Sequence, residues 1–224
     1  MASTDRSAPD SRSRQKRVGE VLRADTRNRI LEAAASEFET RGYSATTVAS
    51  LAKIAGVSVQ TLYLAWGSKR ALLRGYLEKA LAGDAASPEE AAGRFAEDLS
   101  PAERVALLAT VVADVARRAA IGWSIYRDAA GSDTEIAGDW SELQMKRHRL
   151  FARIIGHIPE EHFAPGLTGH GAVDTAWVIA SPETYSLLVT RLGYDLGRYR
   201  DWVEQTLTRA LLVDPTAPRD RGDG

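Results

Sequence analysis

The stretch AGVSVQTLYLAWGSK, residues 55–69, holds side chains whose chemistry suits the edges of nucleic-acid bases. Glutamine can bind adenine through two hydrogen bonds, and the methyl groups of threonine and valine suit the methyl group of thymine. In the short helix that this stretch predicts, the outward-facing residues near the amino end are Val59, Gln60, Thr61 and Leu64. Such a helix can enter a major groove about 12 Å wide. The pattern therefore predicts direct reading of bases.

Groups suited to phosphate binding lie on either side of the base-facing residues. Ser68 is predicted to cap a helix that opens on Lys69 and Arg70, although cations at a helix amino end oppose the helix dipole by roughly a few tenths of a kcal/mol. A phosphate at this end would bind the free backbone N–H groups and Lys69 together. The same interpretation applies to Thr47, which begins an earlier helix, and to the phenol of Tyr63. The alternatives are a solvated Lys69 and a Tyr63 in the core.

A helix-turn-helix is predicted to position these groups, because apolar residues recur at helical spacing on both sides of a short turn. The first helix is expected over residues 26–41. Thr47 caps a second helix, Gly56 ends it, and Ser58 caps a third. Only Ala-Gly-Val-Ser separates the two short helices, so they must cross steeply.

Composition limits the classes of protein that fit the chain. Its 224 residues include no cysteine, which excludes a disulfide framework, a thiolate zinc site and a cysteine nucleophile. Residues 1–81 hold 14 Lys and Arg against 8 Asp and Glu, whereas residues 82–224 hold 15 against 22. This asymmetry favours a polyanionic partner for the amino-terminal third. An apolar run of about 18 residues is absent, so we expect a cytoplasmic protein with no membrane partner.

The segment GYSATTVASLAKIAGVSVQTLYLAWGSKRALL, residues 42–73, resembles the DNA-binding domain of the TetR family of bacterial transcriptional repressors. The Gly-Tyr, Thr-Thr-Val, Ala-Gly-Val-Ser, Thr-Leu-Tyr and Ser-Lys elements occur at family spacing, and the resemblance covers about residues 26–81. It implies that the four outward residues face bases and that Thr47, Tyr63 and Lys69 hold phosphates. The chain departs from the family at Ala65, where a histidine that touches the DNA backbone is frequent, and at Trp66, which replaces the usual phenylalanine.

The sequence predicts an all-α chain of four segments. Residues 1–24 are expected to form a disordered basic arm, which either contacts phosphates or only aids solubility. Residues 25–82 are expected to form the three-helix, helix-turn-helix DNA-binding domain. A larger helical domain for ligand binding and dimerisation is expected over residues 83–213, with helices near residues 102–118, 121–130 and 134–156. Residues 214–224 are expected to be a disordered tail.

The resemblance implies that the larger domain binds a small molecule that alters the spacing of two DNA-binding heads. Polar groups that interrupt an apolar, aromatic helix face are what a pocket needs to orient a ligand. The candidate pocket residues are Val112, Val115, Trp123, Tyr126, Arg127, Trp140, Leu143, Gln144, Arg147, His148 and Phe151. They favour a mainly apolar or aromatic effector. Alternatively, Arg147 pairs with Asp114 or Asp128, and the tryptophans are plain core.

The segment SPETYSLLVTRLGYDLGRYRDWVEQTL, residues 181–207, is similar to the last helices of many actinobacterial members of the family. The resemblance implies that these helices pair with a second subunit in a four-helix bundle. The apolar stripe of the final helix is broader than a surface helix needs, although plain core is the alternative. The candidate interface residues are Tyr185, Leu188, Val189, Tyr199, Trp202, Val203, Thr206, Leu207, Ala210 and Leu211.

Together these patterns predict a homodimeric repressor that binds a palindromic operator in double-stranded DNA and is released by its effector. The alternatives are a constitutive or architectural DNA-binding dimer and a helical enzyme with an accidental helix-turn-helix. The histidines show no zinc-like spacing with another ligand. The sequence also shows no Gly-rich phosphate loop, nucleophile elbow or paired catalytic carboxylates. We therefore predict no catalytic residue, no cofactor and no metal site.

Overall fold

A computed structural model describes residues 11–83 and 98–213, and within these ranges the chain is helical with no strand. One isolated antiparallel bridge joins Phe163 to Leu212. The helices are α1 (Ser11–Ala45), α2 (Val48–Ile54), α3 (Val59–Trp66), α4 (Lys69–Ala82), α5 (Pro101–Ala130), α6 (Thr134–Ile155), α7 (Gly169–Ile179), α8 (Pro182–Tyr185) and α9 (Leu196–Leu211). A 3₁₀ turn (Glu160–His162) precedes α7, and a π-helical turn (Ser186–Arg191) follows α8. The predicted all-α fold is confirmed.

The chain divides into two compact units, Met1–Tyr76 and Leu77–Gly224. The division falls within α4, whereas the sequence placed the domain boundary after residue 82. No single helix among the described residues is long and apolar enough to span a membrane. Only α2 and α3 taken together pass such a test, by length and composition alone, and they are bent by 99°.

The first helix begins at Ser11 rather than near residue 26, so residues 11–24 are helical and their prediction as a disordered arm is wrong. This stretch is rich in good helix formers, and Lys16 and Glu20 have the i, i+4 spacing that favours a helix. It extends a packed helix and so needs no new nucleus. Gly42, predicted to stop the helix, has a φ of 76° and kinks it before one further turn. The arm before Ser11 and the tail after Val213 lie outside the described residues.

The capping groups that the sequence predicted form the turns of the first unit. The Thr47 hydroxyl accepts from the backbone N–H of Ser50 at 3.1 Å, and Ser50 Oγ accepts from the N–H of Thr47 at 3.3 Å. Ser58 Oγ accepts from the N–H of Thr61 at 3.0 Å and so begins α3. Gly56 has a φ of 64°, a conformation that only glycine adopts without strain. Local chemistry therefore produces the steep turn between α2 and α3.

The core of the first unit joins α1 to the helix-turn-helix. Its buried side chains include Ile30, Ala34, Phe38, Leu51 and Leu62, as the helical spacing predicted. Burying an aliphatic side chain of this size stabilises a fold by roughly 1.5–3 kcal/mol. The short helices α2 and α3 are therefore stable because they pack on α1, since seven or eight residues would not stay helical alone.

The second unit is built around α5, which packs against α6, α8 and α9. The sequence predicted a break near residue 120, but α5 continues from Pro101 to Ala130. Residues 117–121, Arg-Arg-Ala-Ala-Ile, contain no helix breaker, and Gly122 is buried against the core, where its small size permits close packing. Ser181 caps α8 and Pro182 occupies its first position.

The carboxyl end of α4 is fixed within the second unit by Arg118 of α5. Arg118 Nε donates to the carbonyl of Ala80 at 3.0 Å, and Nη2 lies 3.4 Å from the carbonyl of Leu81. Asp114 accepts from Arg118 and from Arg117, and these contacts lower the pKa of its carboxyl group against the opposing effect of burial. The alternative in which Asp114 pairs with Arg147 is wrong. A cation here also complements the helix dipole.

We predict that Gly75→Ala destabilises the first unit. An added Cβ would lie 2.4 Å from the Trp66 ring, which is too stiff to move cheaply. Overpacking of this kind costs roughly 1–3 kcal/mol. Gly138→Ala is the matched control, because nothing lies within 4 Å of a Cβ at this helical position. Urea unfolding followed by circular dichroism should show a lower midpoint for Gly75→Ala alone; a midpoint equal to that of the wild type would contradict the packing.

Candidate nucleic-acid interface

The predicted base-facing residues lie on the outer side of α3. Leu64 is 82% exposed and Val59 is 41% exposed, whereas Leu62 of the same helix is fully buried in the core. Gln60 is also exposed. Thr61 is half-buried, and its hydroxyl lies 2.8 Å from that of Ser58. The helix thus presents a mixed apolar and amide surface to solvent at its amino end.

Two of the predicted phosphate-binding groups are also accessible. Tyr63 is half-exposed on α3, and Thr47 is exposed at the start of α2. The Thr47 hydroxyl already accepts the capping bond from Ser50. A hydroxyl keeps one proton to donate while it accepts, so this bond leaves Thr47 able to donate to a phosphate oxygen.

Lys69, the third predicted phosphate ligand, bonds within its own unit. Its Nζ donates to the carbonyls of Tyr43 and Thr46, each at 2.9 Å, and lies 4.0 Å from the centroid of the Tyr43 ring. Internal bonds thus give a second reason for a cation at this helix start, beside the phosphate proposed from the sequence. The ammonium group binds carbonyls at and just after the end of α1, a contact between residues far apart in sequence. A phosphate role for Lys69 stays a prediction.

Two arginines of α1, which the sequence analysis missed, fix the helix-turn-helix. Arg29 Nη2 donates to the carbonyl of Ala55 at 2.6 Å, in the turn before α3. Arg27 donates to the carbonyl of Ala65 and lies 3.9 Å from the centroid of the Trp66 ring. The Trp66 Nε1–H donates back to the carbonyl of Arg27 at 3.0 Å. The only signal in the sequence was tryptophan in place of phenylalanine, because only tryptophan supplies this donor.

The candidate pocket residues of the second unit do not form a single group. Tyr126 and Phe151 are buried, and the others are half-buried: Val112, Val115, Trp123, Arg127, Trp140, Leu143, Gln144, Arg147 and His148. The rings of Tyr126 and Trp140 stack with centroids 6.0 Å apart. A separate cluster joins Arg147 to Gln144 and Phe151. The predicted set thus divides between two places in the unit.

The polar members of that set bond to neighbouring helices. Arg147 donates to the carbonyls of Ala180, at 3.1 Å, and Trp177, at 2.9 Å, and so caps the carboxyl end of α7. Burial lowers the pKa of Arg147 to about 10. His148 Nε2 lies 2.8 Å from the carboxylate of Asp174. Arg147 thus pairs with neither of the aspartates considered above, and its partners are backbone oxygens.

Part of the predicted dimer surface is core. Tyr199, Val203, Leu207 and Leu211 are fully buried within the chain, and Tyr185 is 9% exposed. Side chains without exposed surface cannot contact a second subunit, so the prediction is wrong for the first four. The apolar stripe of α9 faces α5 and α7 instead. The remaining candidates keep some exposed surface, and they are Leu188, Val189, Trp202, Thr206 and Ala210. Three further apolar side chains are exposed in the second unit but were not among the predicted interface residues: Val178, Leu187 and Leu192.

Residues 30–76 match the sequence profile of the bacterial regulatory proteins of the tetR family. The matched range runs from the buried part of α1 into α4 and so contains the whole helix-turn-helix. Residues 30–76 therefore carry the amino-terminal domain of the tetR family. The pair α2 and α3 is the helix-turn-helix of this domain. A search of curated protein sequences finds no significant match.

Solved structures share the TetR-family fold over most of the chain. NalD, the secondary repressor of the MexAB-OprM multidrug efflux pump in Pseudomonas aeruginosa, is similar with a TM-score of 0.66 and 19% identity, over 84% of this chain and 96% of that one. A TetR-like regulator from Rhodococcus sp. RHA1 is similar with a TM-score of 0.58 and 19% identity, over 82% of this chain and 94% of that one. A transcriptional regulator from Saccharomonospora viridis was solved in complex with choline. It is similar with a TM-score of 0.64 and 15% identity, over 85% of this chain and 100% of that one.

We predict that Lys69→Met weakens binding to all DNA and makes its salt dependence shallower. Methionine keeps the aliphatic stem but cannot donate to a phosphate. The slope of log Kobs against log salt concentration should fall by about 0.9 for each phosphate that the variant no longer neutralises. Lys79→Met, which removes an exposed cation at the other end of α4, should leave the slope unchanged. Fluorescence anisotropy at several salt concentrations measures both, and an unchanged slope for Lys69→Met would limit Lys69 to its internal bonds.

Proposed function

We propose that this TetR-family regulator is a homodimeric repressor that binds a palindromic operator and is released by a small, mainly apolar ligand bound in its second unit. The observation that best supports DNA binding is the exposed face of α3. Val59, Gln60 and Leu64 are exposed on this face, whereas Leu62 of the same helix is buried in the core. Because α1 binds the turn and the carboxyl end of α3, this face is presented rigidly.

Base reading and phosphate binding have separate parts in the proposal. The Gln60 amide would bind adenine through its two hydrogen bonds, while Val59 and the methyl group of Thr61 would contact thymine methyls. Thr47 and Tyr63, with Lys69 beside them, would donate to phosphates and so fix the register of α3 on the duplex. Such contacts make affinity depend on salt but carry no sequence information, since every nucleotide has the same phosphate.

Dimerisation would place two copies of α3 on one face of the duplex. Half-sites about one helical turn, ~34 Å, apart would then be read by identical helices, which makes the operator palindromic. The remaining interface candidates, with Leu187 and Leu192, supply apolar surface that a single chain leaves exposed. Contact with a second subunit would remove this apolar surface from water.

Release would follow from a population shift. A ligand that binds the conformer unable to span both half-sites lowers operator affinity by its coupling free energy, about 1–3 kcal/mol in many proteins. The helix α4 is suited to transmit the shift, because it starts with the Lys69 contacts in the first unit and ends with the Arg118 contacts in the second.

The candidate residues support an apolar effector. Trp123 and Phe151 provide aromatic surface at the core cluster, and Tyr126 and Trp140 provide it at the other of the two places. The choline of the Saccharomonospora viridis protein is a quaternary ammonium, and aromatic rings bind such cations. In this chain, however, the buried guanidinium of Arg147 stands among the candidates and would repel a cation. We therefore propose an effector without positive charge.

We predict that Gln60→Ala mainly reduces sequence preference. The ratio of affinities for the selected operator and for a scrambled duplex should fall about tenfold or more, which is the range for removal of one bidentate pair with a base. Affinity for the scrambled duplex serves as the internal control and should stay the same. Gel-shift titrations with both duplexes measure this ratio, and an equal decrease on both would remove Gln60 from base reading.

We predict that Leu192→Lys weakens the dimer. Leu192 is 66% exposed in the single chain, so the substitution leaves the core intact but would bury a charge in the proposed interface. Leu22→Lys is the matched control, since Leu22 is 61% exposed and lies on α1. Sedimentation equilibrium should show a dissociation constant at least tenfold higher for Leu192→Lys only. Identical association of the two variants would place the interface elsewhere.

A further inference from the structure

Two buried hydrogen-bond donors in the second unit have no acceptor within the described chain. They are the Tyr199 hydroxyl on α9 and the Trp177 Nε1–H on α7. Tyr199 as a whole is 0% exposed. Both residues belong to one apolar cluster that includes α5, α6, α7 and α9. Leaving a buried donor without an acceptor costs about 1–3 kcal/mol, and most native donors avoid this cost. Two such donors in one cluster are candidate contacts for a ligand that carries hydrogen-bond acceptors.

A half-buried positive charge lies beside these donors. Arg147 is 5.0 Å from the centroid of the Trp177 ring, and its charge acts on the Tyr199 hydroxyl by lowering a pKa that burial raises. Within residues 98–213, no carboxylate lies at salt-bridge distance from Arg147; Glu183 acts on it only from farther away. Its partners are the amide oxygen of Gln144 and the two carbonyls that end α7. A helix end supplies only about half a negative charge.

We propose that these groups recognise the acceptor end of the effector, and that the effector is an apolar molecule carrying one carboxylate. Its oxygens would accept from Trp177 Nε1 and Tyr199 Oη and would neutralise the remaining charge of Arg147. The apolar body would pack on the surrounding ring of Phe151 and the aliphatic cluster. This inference rests on the proposed ligand-relieved function and names the chemical class of the ligand.

The burial of these donors also explains how binding would be coupled to regulation. Because Tyr199 has no exposed surface, a ligand can reach its hydroxyl only when α9 and α7 separate locally. The closed packing of these helices therefore keeps a ligand away from this hydroxyl. The carboxylate would bind the opened conformer alone, and this difference in affinity is what a population shift requires.

The first test compares the stability of Tyr199→Phe and Tyr126→Phe in the absence of ligand. Both tyrosines are fully buried, but Tyr126 donates to Asp139 at 3.2 Å, whereas Tyr199 has no partner in the described chain. We expect an unchanged or higher urea midpoint for Tyr199→Phe and a lower one for Tyr126→Phe. A comparable decrease for Tyr199→Phe would show that its hydroxyl bonds inside the protein and would overturn the proposal.

The second test uses calorimetric titration of the full chain with matched probes: decanoate below its micelle concentration, 2-naphthoate, and decyltrimethylammonium. We expect at least one carboxylate to bind the wild type, tenfold or more weaker binding to Tyr199→Phe, and no binding of the ammonium probe. The inference is overturned if neither carboxylate binds, if the ammonium probe binds as well as a carboxylate, or if Tyr199→Phe binds normally.

A parallel measurement separates this inference from the proposed function. The same probes are added to the protein bound to fluorescent operator, and release is followed by anisotropy. A carboxylate that binds without releasing DNA would support the site but contradict ligand-relieved repression. Release by decyltrimethylammonium would support ligand-relieved repression and contradict the carboxylate site.

Discussion

Long-range bonds from cationic side chains to the carbonyl ends of helices fix helices against one another in both units, and in the first unit they hold the helix-turn-helix in place. The last carbonyls of a helix have no partner within the helix, and a cation there also complements the dipole. Five helix ends or turns are bound in this way, by Arg27, Arg29, Lys69, Arg118 and Arg147. Each bond joins residues 23 or more positions apart, so each fixes one helix against another rather than stabilising a helix alone.

Within the first unit, these bonds fix the positions of the two short helices of the helix-turn-helix. The short helices α2 and α3 have little stability of their own, and a helix that leaves Leu64 and Val59 in solvent gains nothing from that face. Arg29 binds the turn, and the pair formed by Arg27 and Trp66 binds the far end of α3. The amino end of α3 is thereby free to meet a duplex while the rest of the helix stays fixed. In the second unit, Arg147 completes α7 with the same kind of bond, but its charge is only partly neutralised there.

The sequence predicted those features that depend on neighbouring residues. The caps Thr47 and Ser58 and the turn at Gly56 were predicted correctly, because each acts within about four positions of the chain. The internal bonds of Lys69 were not foreseen, because its carbonyl partners lie 23 and 26 residues earlier. Tyr199 was placed at an interface because periodicity shows that a face is apolar but not which surface covers it. The resemblance to the TetR family rests on local motifs and is confirmed over residues 30–76, whereas the position of a ligand pocket depends on tertiary contacts that no motif encodes.

The central claim is that the amino end of α3 lies against base edges in the major groove, and selection of bound duplexes from a random pool tests it most directly. Binding at low ionic strength, where phosphate contacts are strongest, gives the protein every chance to retain DNA. The account predicts enrichment of an inverted repeat whose half-sites are centred about 10 base pairs apart. Retention of no duplex, or enrichment without any repeated half-site, would contradict it.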